Sequence, residues 1–169
     1  MARTVTAKGH PLNLSGTELK VGDRAPDFAL LNNAMTTVKL SDSAGQVRLL
    51  SVVSSLDTST CSTQTKTFND KLATLGEAVR AYTISADLPF AQKRFCDVGG
   101  IDKTETLSDH RDMSFGKSYG LLLPDQRLLA RAVLVIDKND IISYMQVVDE
   151  VSNEPDYDSA LKALKEAIG

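Results

Sequence analysis

The sequence has no tryptophan, two histidines, two cysteines and five prolines in 169 residues, and aromatic residues make up only 5% of it. Each shortage excludes something. Cys61 and Cys96 are too few for a disulfide framework, and they do not form the C-x-x-C of a dithiol oxidoreductase. His10 and His110 stand far from any cysteine cluster, so a structural zinc site has almost nothing to build from; neither a metal nor an organic cofactor is expected. No apolar run reaches the roughly 18 residues of a membrane-spanning helix, and the opening MARTVTAKGHPLNL lacks the apolar core of a signal peptide. Charge is equally unmarked. The 19 basic and 22 acidic residues are interspersed and leave a formal net charge of -3, which argues against nucleic-acid or anionic-membrane binding. The expectation is a soluble, cytoplasmic protein that acts on a small molecule or another protein. With no repeat, low-complexity tract or linker, residues 1–169 read as a single domain, and 42% apolar residues are enough for one core.

What is present alternates between two periodicities. Residues 1–15 read as an N-terminal hairpin turning at Gly9, a decoration on the core. Val47–Val53 (VRLLSVV) is a short, largely apolar run suited to a strand buried on both faces. After the polar SSLDTST, Cys61, Thr65, Phe68, Leu72 and Leu75 recur at helical spacing, with Gly76 as the expected C-cap. Val79–Ser85 is a second strand, and Pro89–Phe95 a short helix opened by proline and ended by Cys96. Thr104–Leu107 reads as an edge strand, Asp112–Tyr119 as a helix, Ala132–Ile136 with Ile141–Val148 as a hairpin, and the stretch from about Pro155 as a closing helix. This order indicates an α/β fold with a central mixed β-sheet flanked by helices.

The chemistry concentrates at Cys61. A thiol becomes a nucleophile only as its thiolate, and the first turn of a helix offers unpaired N–H groups and the positive end of a dipole to stabilise that anion. A cysteine buried for packing alone is the alternative, and the strand–turn–helix setting favours chemistry over it. Arg131 opens the apolar LLARAVLVID and is the candidate cation; it reads either as a buried guanidinium with an anionic partner or as a strand-end charge reaching solvent. Thr58, three residues before Cys61, can cap the helix or donate to a substrate oxygen. Cys96 is either an inert helix-end thiol or a partner for an oxidised Cys61. A Cys-His hydrolase built on Cys61 and His110 would need the imidazole beside the thiol, and His110 sits in the polar SDHRD.

The segments SLDTSTC (55–61), SADLPFAQKRFC (85–96), LSDHRDMSFGKSYG (107–120), LLARAVLVIDKND (128–140) and VVDEVSNEPDY (147–157) resemble those of the bacterial thiol peroxidases, the atypical two-cysteine branch of the peroxiredoxins. The resemblance covers nearly the whole chain. It implies a thioredoxin-like fold with an N-terminal hairpin, reduction of hydrogen peroxide and alkyl hydroperoxides, recycling by thioredoxin, and a homodimer that resolves within one subunit. By position, Cys61 matches the peroxidatic cysteine, Cys96 the resolving cysteine, Thr58 the threonine that helps position thiolate and peroxide, and Arg131 the arginine that stabilises both. A peroxide sensor or thiol relay using the same cysteines is the alternative function. The chain departs from the family at Ser54, where the loop usually carries proline, which implies a freer loop. It also departs at Asp97, which adds a carboxylate beside Cys96.

Overall fold

The computed structural model describes residues 3–169, so the first two residues of the expected 1–15 hairpin lie outside the described range. β1 (Arg3–Ala7) and β2 (His10–Leu14) pair antiparallel around Lys8 and Gly9. Both turn residues have positive φ, 50° and 82°, as a two-residue type I′ hairpin demands. This hairpin is more than decoration. Val5 and Leu14 are buried with Leu123 and Ala130, and Leu12, Val147 and Val151 pack against that cluster.

Next come β3 (Ala29–Leu31), β4 (Thr37–Lys39) and β5 (Val47–Val52), the last buried along its whole length. Then follow α1 (Ser59–Leu72), β6 (Val79–Ser85), α2 (Pro89–Gly99), β7 (Glu105–Ser108), α3 (Ser114–Tyr119), and a small ribbon of β8 (Leu122–Leu123) and β9 (Leu128–Leu129). β10 (Ala132–Ile136), β11 (Ile142–Val147) and α4 (Tyr157–Ile168) complete the chain. The central sheet runs β11-β10-β5-β6-β7-β3-β4, with β5, β6 and β7 parallel and their neighbours on both sides antiparallel. It is the mixed sheet expected from the strand and helix order.

Alternation along the strands separates two cores. Val47, Leu49, Val133 and Val135 meet Phe68 and Leu72 of α1 and Ala160 and Leu164 of α4 on one face. Leu50, Val52, Leu134 and Ile136 meet Phe115 and Tyr119 of α3 on the other. Asp109 caps α3 from beneath: its carboxylate accepts the N–H groups of Phe115 and Gly116 at 3.0 and 2.9 Å, and burial pushes its pKa up to about 6.

Several elements differ from the sequence expectation. α1 stops at Leu72, so Leu75 lies beyond it and Gly76, at φ 59°, serves the next turn instead of capping the helix. α2 continues to Gly99 and is capped by left-handed Gly100, whose N–H donates to the Cys96 carbonyl; Cys96 therefore occupies the last turn and does not end the helix. β7 is internal, with β6 on one side and β3 on the other, because the short β3–β4 ribbon covers the edge it would otherwise form. β3, β4, β8 and β9 have two or three residues each, too few for a periodicity to register.

Candidate active site

The parallel strands β5, β6 and β7 deliver their following loops to one end of the sheet, where open α/β folds place their sites. The loop after β5 runs through Ser54–Asp57 to Thr58, the N-cap of α1, which puts Cys61 in the first turn. The first N–H groups of that turn have no intrahelical acceptor. Cys61 is completely buried, in a small apolar cluster with Val53 and Leu56 against which Phe95 of α2 packs. Its carbonyl accepts from Thr65 Oγ1 at 2.9 Å.

The Thr58 hydroxyl is exposed and donates to the Ser55 carbonyl at 2.9 Å, closing the turn on itself; it makes no side-chain cap to the helix amides. Ser54 ties the same loop to the opposite strand, because its Oγ donates to the Leu129 carbonyl at 2.9 Å. The replacement for the family's proline thus carries a tether of its own, two residues before Arg131.

Arg131 is 2% exposed, which excludes the solvent-reaching reading. It immediately precedes β10 and lies on the face covered by α1. Nε and Nη2 donate to the Val151 carbonyl at 2.9 and 2.6 Å, and Nη1 donates to Gln64 Oε1 at 2.9 Å. Gln64, also fully buried, is three residues after Cys61 and is oriented by its own Nε2 donating to Ser51 Oγ at 2.8 Å. Arg131 takes part in none of the ion pairs among the described residues. A guanidinium has five N–H groups, so one on each Nη stays free of these acceptors. A buried cation held only by neutral oxygens is costly unless an anion shares its site.

Cys96 is half-buried, and its thiol faces Thr106 Oγ1 at 3.6 Å. Both cysteines are free. Asp97, beside it, is engaged by Lys93 at 2.6 Å one turn earlier, so the extra carboxylate is already paired. Asp87 joins the two cysteine-bearing segments. Its carboxylate accepts from Ser55 Oγ at 2.7 Å and Leu56 N at 2.8 Å in the loop before α1, and from Ser85 Oγ at 2.7 Å, which in turn accepts from Gln92 Nε2 of α2 at 2.9 Å. His110 follows β7, where its backbone N–H donates to Ser108 Oγ; no hydrogen bond joins it to Cys61 among the described residues.

Among the described residues no group of three or more His, Cys, Asp or Glu side chains is arranged to hold a metal, and no helix is long and apolar enough to cross a membrane. Sequence reasoning missed Gln64, Asp87 and Val151. Gln64 left a signal, an amide on the buried stripe of an amphipathic helix; a loop acid such as Asp87 and a backbone carbonyl leave none.

Comparison with known proteins agrees with this geometry. The Redoxin family profile matches residues 20–161. The thiol peroxidase of Halalkalibacterium halodurans is 52% identical over 98% of this chain and 99% of its own length, and that of Bacillus subtilis is 50% identical over 97% and 98%. A peroxiredoxin-like protein from Aquifex aeolicus superposes with a TM-score of 0.92 at 41% identity, covering 99% of this chain and 98% of that one. The chain therefore belongs to the Redoxin family and, within it, to the thiol peroxidases, thiol-dependent peroxidase enzymes with a thioredoxin-like fold.

Proposed function

We propose that Cys61 is the peroxidatic cysteine, that Cys96 resolves it within the same subunit, and that the substrates are hydrogen peroxide and alkyl hydroperoxides. The observation that carries this reading is the buried Arg131, fixed by three hydrogen bonds to neutral oxygens and joined through Gln64 to the helix of Cys61. The Cys61 thiolate attacks the terminal peroxide oxygen; an S–O bond forms as the O–O bond breaks, and the departing oxygen takes a proton to leave as water or an alcohol. Arg131 and the first-turn N–H groups bind the peroxide oxygens as negative charge moves onto the leaving one, with the Thr58 hydroxyl at the loop's rim. Attack by the Cys96 thiol on the Cys61 sulfenic acid expels water and forms the disulfide.

The disulfide requires movement, since Cys61 lies beneath Phe95 and the two residues belong to different helices. Thioredoxin, in the cytoplasm, reopens the disulfide by thiol–disulfide exchange, and the working form is a homodimer. No cofactor enters any of these steps. One equivalent of hydrogen peroxide added to the reduced protein, followed by peptide mapping without reduction, tests the scheme. A Cys61–Cys96 linked peptide is expected. Cys61 left reduced refutes the peroxidatic role, and sulfinic Cys61 without the link removes Cys96 from the reaction. Rapid disulfide formation with slow turnover on thioredoxin would favour the sensor or relay reading.

A further inference from the structure

The segment 149–152 touches three parts of the molecule at once. Its Val151 carbonyl takes two of the three hydrogen bonds that fix Arg131. Its Ser152 carbonyl accepts from Thr60 Oγ1, the residue before Cys61, at 3.3 Å. Toward the N-terminal hairpin it is joined by backbone bonds from Thr6 N to Asp149 O at 2.7 Å and from Val151 N to Thr6 O at 2.8 Å. A carbonyl on a connecting segment can hold a guanidinium in place only if the segment itself is held.

Glu150 holds it. One carboxylate oxygen accepts from Thr6 Oγ1 at 3.0 Å and from Gly9 N at 2.8 Å. The other accepts from Lys8 N at 3.1 Å and from Ser152 N and Oγ at 3.0 and 2.7 Å. The carboxylate so spans the tip of the β1–β2 hairpin and the turn that follows Val151, and its ionised form is strongly favoured by the Ser152 and Gly9 donors. Lys8 and Gly9 can present their N–H groups together because the type I′ turn gives both positive φ.

We propose that Glu150 is a positioning residue for Arg131, and that the N-terminal hairpin is the frame against which it sets the Val151 carbonyl. The chain of contacts runs from the hairpin tip to Glu150, to Val151, to the guanidinium, and so to the site of peroxide cleavage. This inference rests on the peroxidase reading above, in which Arg131 acts on the thiolate and peroxide.

The test is a double-mutant cycle on the intact chain, measuring the second-order rate of Cys61 oxidation by hydrogen peroxide across pH. Glu150→Ala should slow the reaction about tenfold, the scale of a catalytic group displaced by a fraction of an ångström, and should move the rising limb of the pH profile upward. Glu150→Gln, which keeps one accepting oxygen, should fall between Glu150→Ala and wild type. In an Arg131→Ala background, Glu150→Ala should change nothing further.

Losses that multiply in the double variant, or a Glu150→Ala enzyme with the wild-type rate and profile, overturn the proposal. If Glu150→Ala melts well below wild type, Thr6→Val gives the same reading with a smaller perturbation: it removes one donor to the carboxylate and keeps both Thr6 backbone bonds. It should slow oxidation by a factor of about three, with no further loss in the Arg131→Ala background, and a multiplying loss there overturns the proposal equally. A wild-type protein inert to peroxide would be a different failure, that of the peroxidase reading itself, visible before any variant is compared.

Discussion

The two cysteines sit on helices of opposite character. α1 buries Cys61, Gln64, Thr65, Phe68, Asn69 and Leu72, while α2 buries only Pro89 and Gln92 and leaves Phe90 69% and Val98 85% exposed. Apolar burial contributes roughly 25 cal/mol per Å2, so undocking α2 costs far less than undocking α1. The difference suits a reaction with one step that demands fixed geometry and another that demands motion. On the Cys61 side, the Arg131 guanidinium is already fixed by the Gln64 amide and the Val151 carbonyl, the pre-set geometry that the proposed electrostatic role of Arg131 requires. Cys96 lies on a helix whose last turn closes on Gly100, and among the described residues its thiol makes one weak hydrogen bond, with Thr106. Local unfolding draws on such weakly buried elements first.

The strongest way to break the comparison is to spoil the fixed side. Arg131→Met keeps a long apolar stem and removes the charge; it should lower the rate of Cys61 oxidation by about 100-fold or more, the usual cost of losing a donor to developing charge. Arg131→Lys should lose less, since it keeps the charge without the fork that serves Val151 and Gln64 together. Stopped-flow mixing with peroxide measures both. Rates within twofold of wild type would remove Arg131 from the reaction. In these variants the disulfide should follow the sulfenic acid as quickly as before, because among the described residues no hydrogen bond joins Arg131 to α2.

Asp87 tests the mobile side. Its carboxylate fastens Ser55 and Leu56 to Ser85, and through Ser85 to Gln92, so both segments that must rearrange for the proposed disulfide are bound to one group. Asp87→Asn keeps an acceptor at one oxygen only. It should loosen both segments and raise, by about fivefold, the peroxide concentration at which Cys61 is trapped as sulfinic acid before Cys96 reaches it, the order of one or two lost hydrogen bonds to a charge. Quantifying linked and sulfinic peptides over a peroxide series reads this ratio. An unchanged ratio would mean that the latch opens before the slow step.

How much of this was legible follows from the range of each signal. β5, β6, β10 and the hairpin before α4 stand out because apolar runs and period-two alternation are local. The placement of Cys61 in a helix's first turn follows from the apolar steps after it. The end of α1 was misjudged because Leu75 continues the apolar spacing although the chain has already left the helix; it still packs on the same core from the turn. β7 read as an edge because its covering partner, β3, lies more than seventy residues earlier and is only three residues long. Arg131 could be singled out as an oddity in an apolar strand, but its partners are an amide on α1 and a carbonyl after β11, and neither proximity is written in local sequence. The family resemblance placed the four candidate residues; it did not indicate Glu150, Asp87 or the hairpin's part in the site.

Ser54 gives the smallest and sharpest test, because it sits on the border between the two regions. A serine in place of proline should free the loop before Cys61 through its unfixed φ, yet its hydroxyl bonds to the Leu129 carbonyl and restores a restraint by other means. Ser54→Ala removes that tether without adding a ring, and the lost hydrogen bond is worth about 1 kcal/mol. It should slow peroxide reduction by roughly threefold to fivefold and, by letting the loop unwind more readily, favour disulfide over sulfinic acid at high peroxide. Ser54→Pro also removes the hydroxyl but fixes φ and should keep a rate near wild type. If both variants react alike, the tether carries no weight, and the stiffness of the Cys61 side comes from Asp87 and the helix alone.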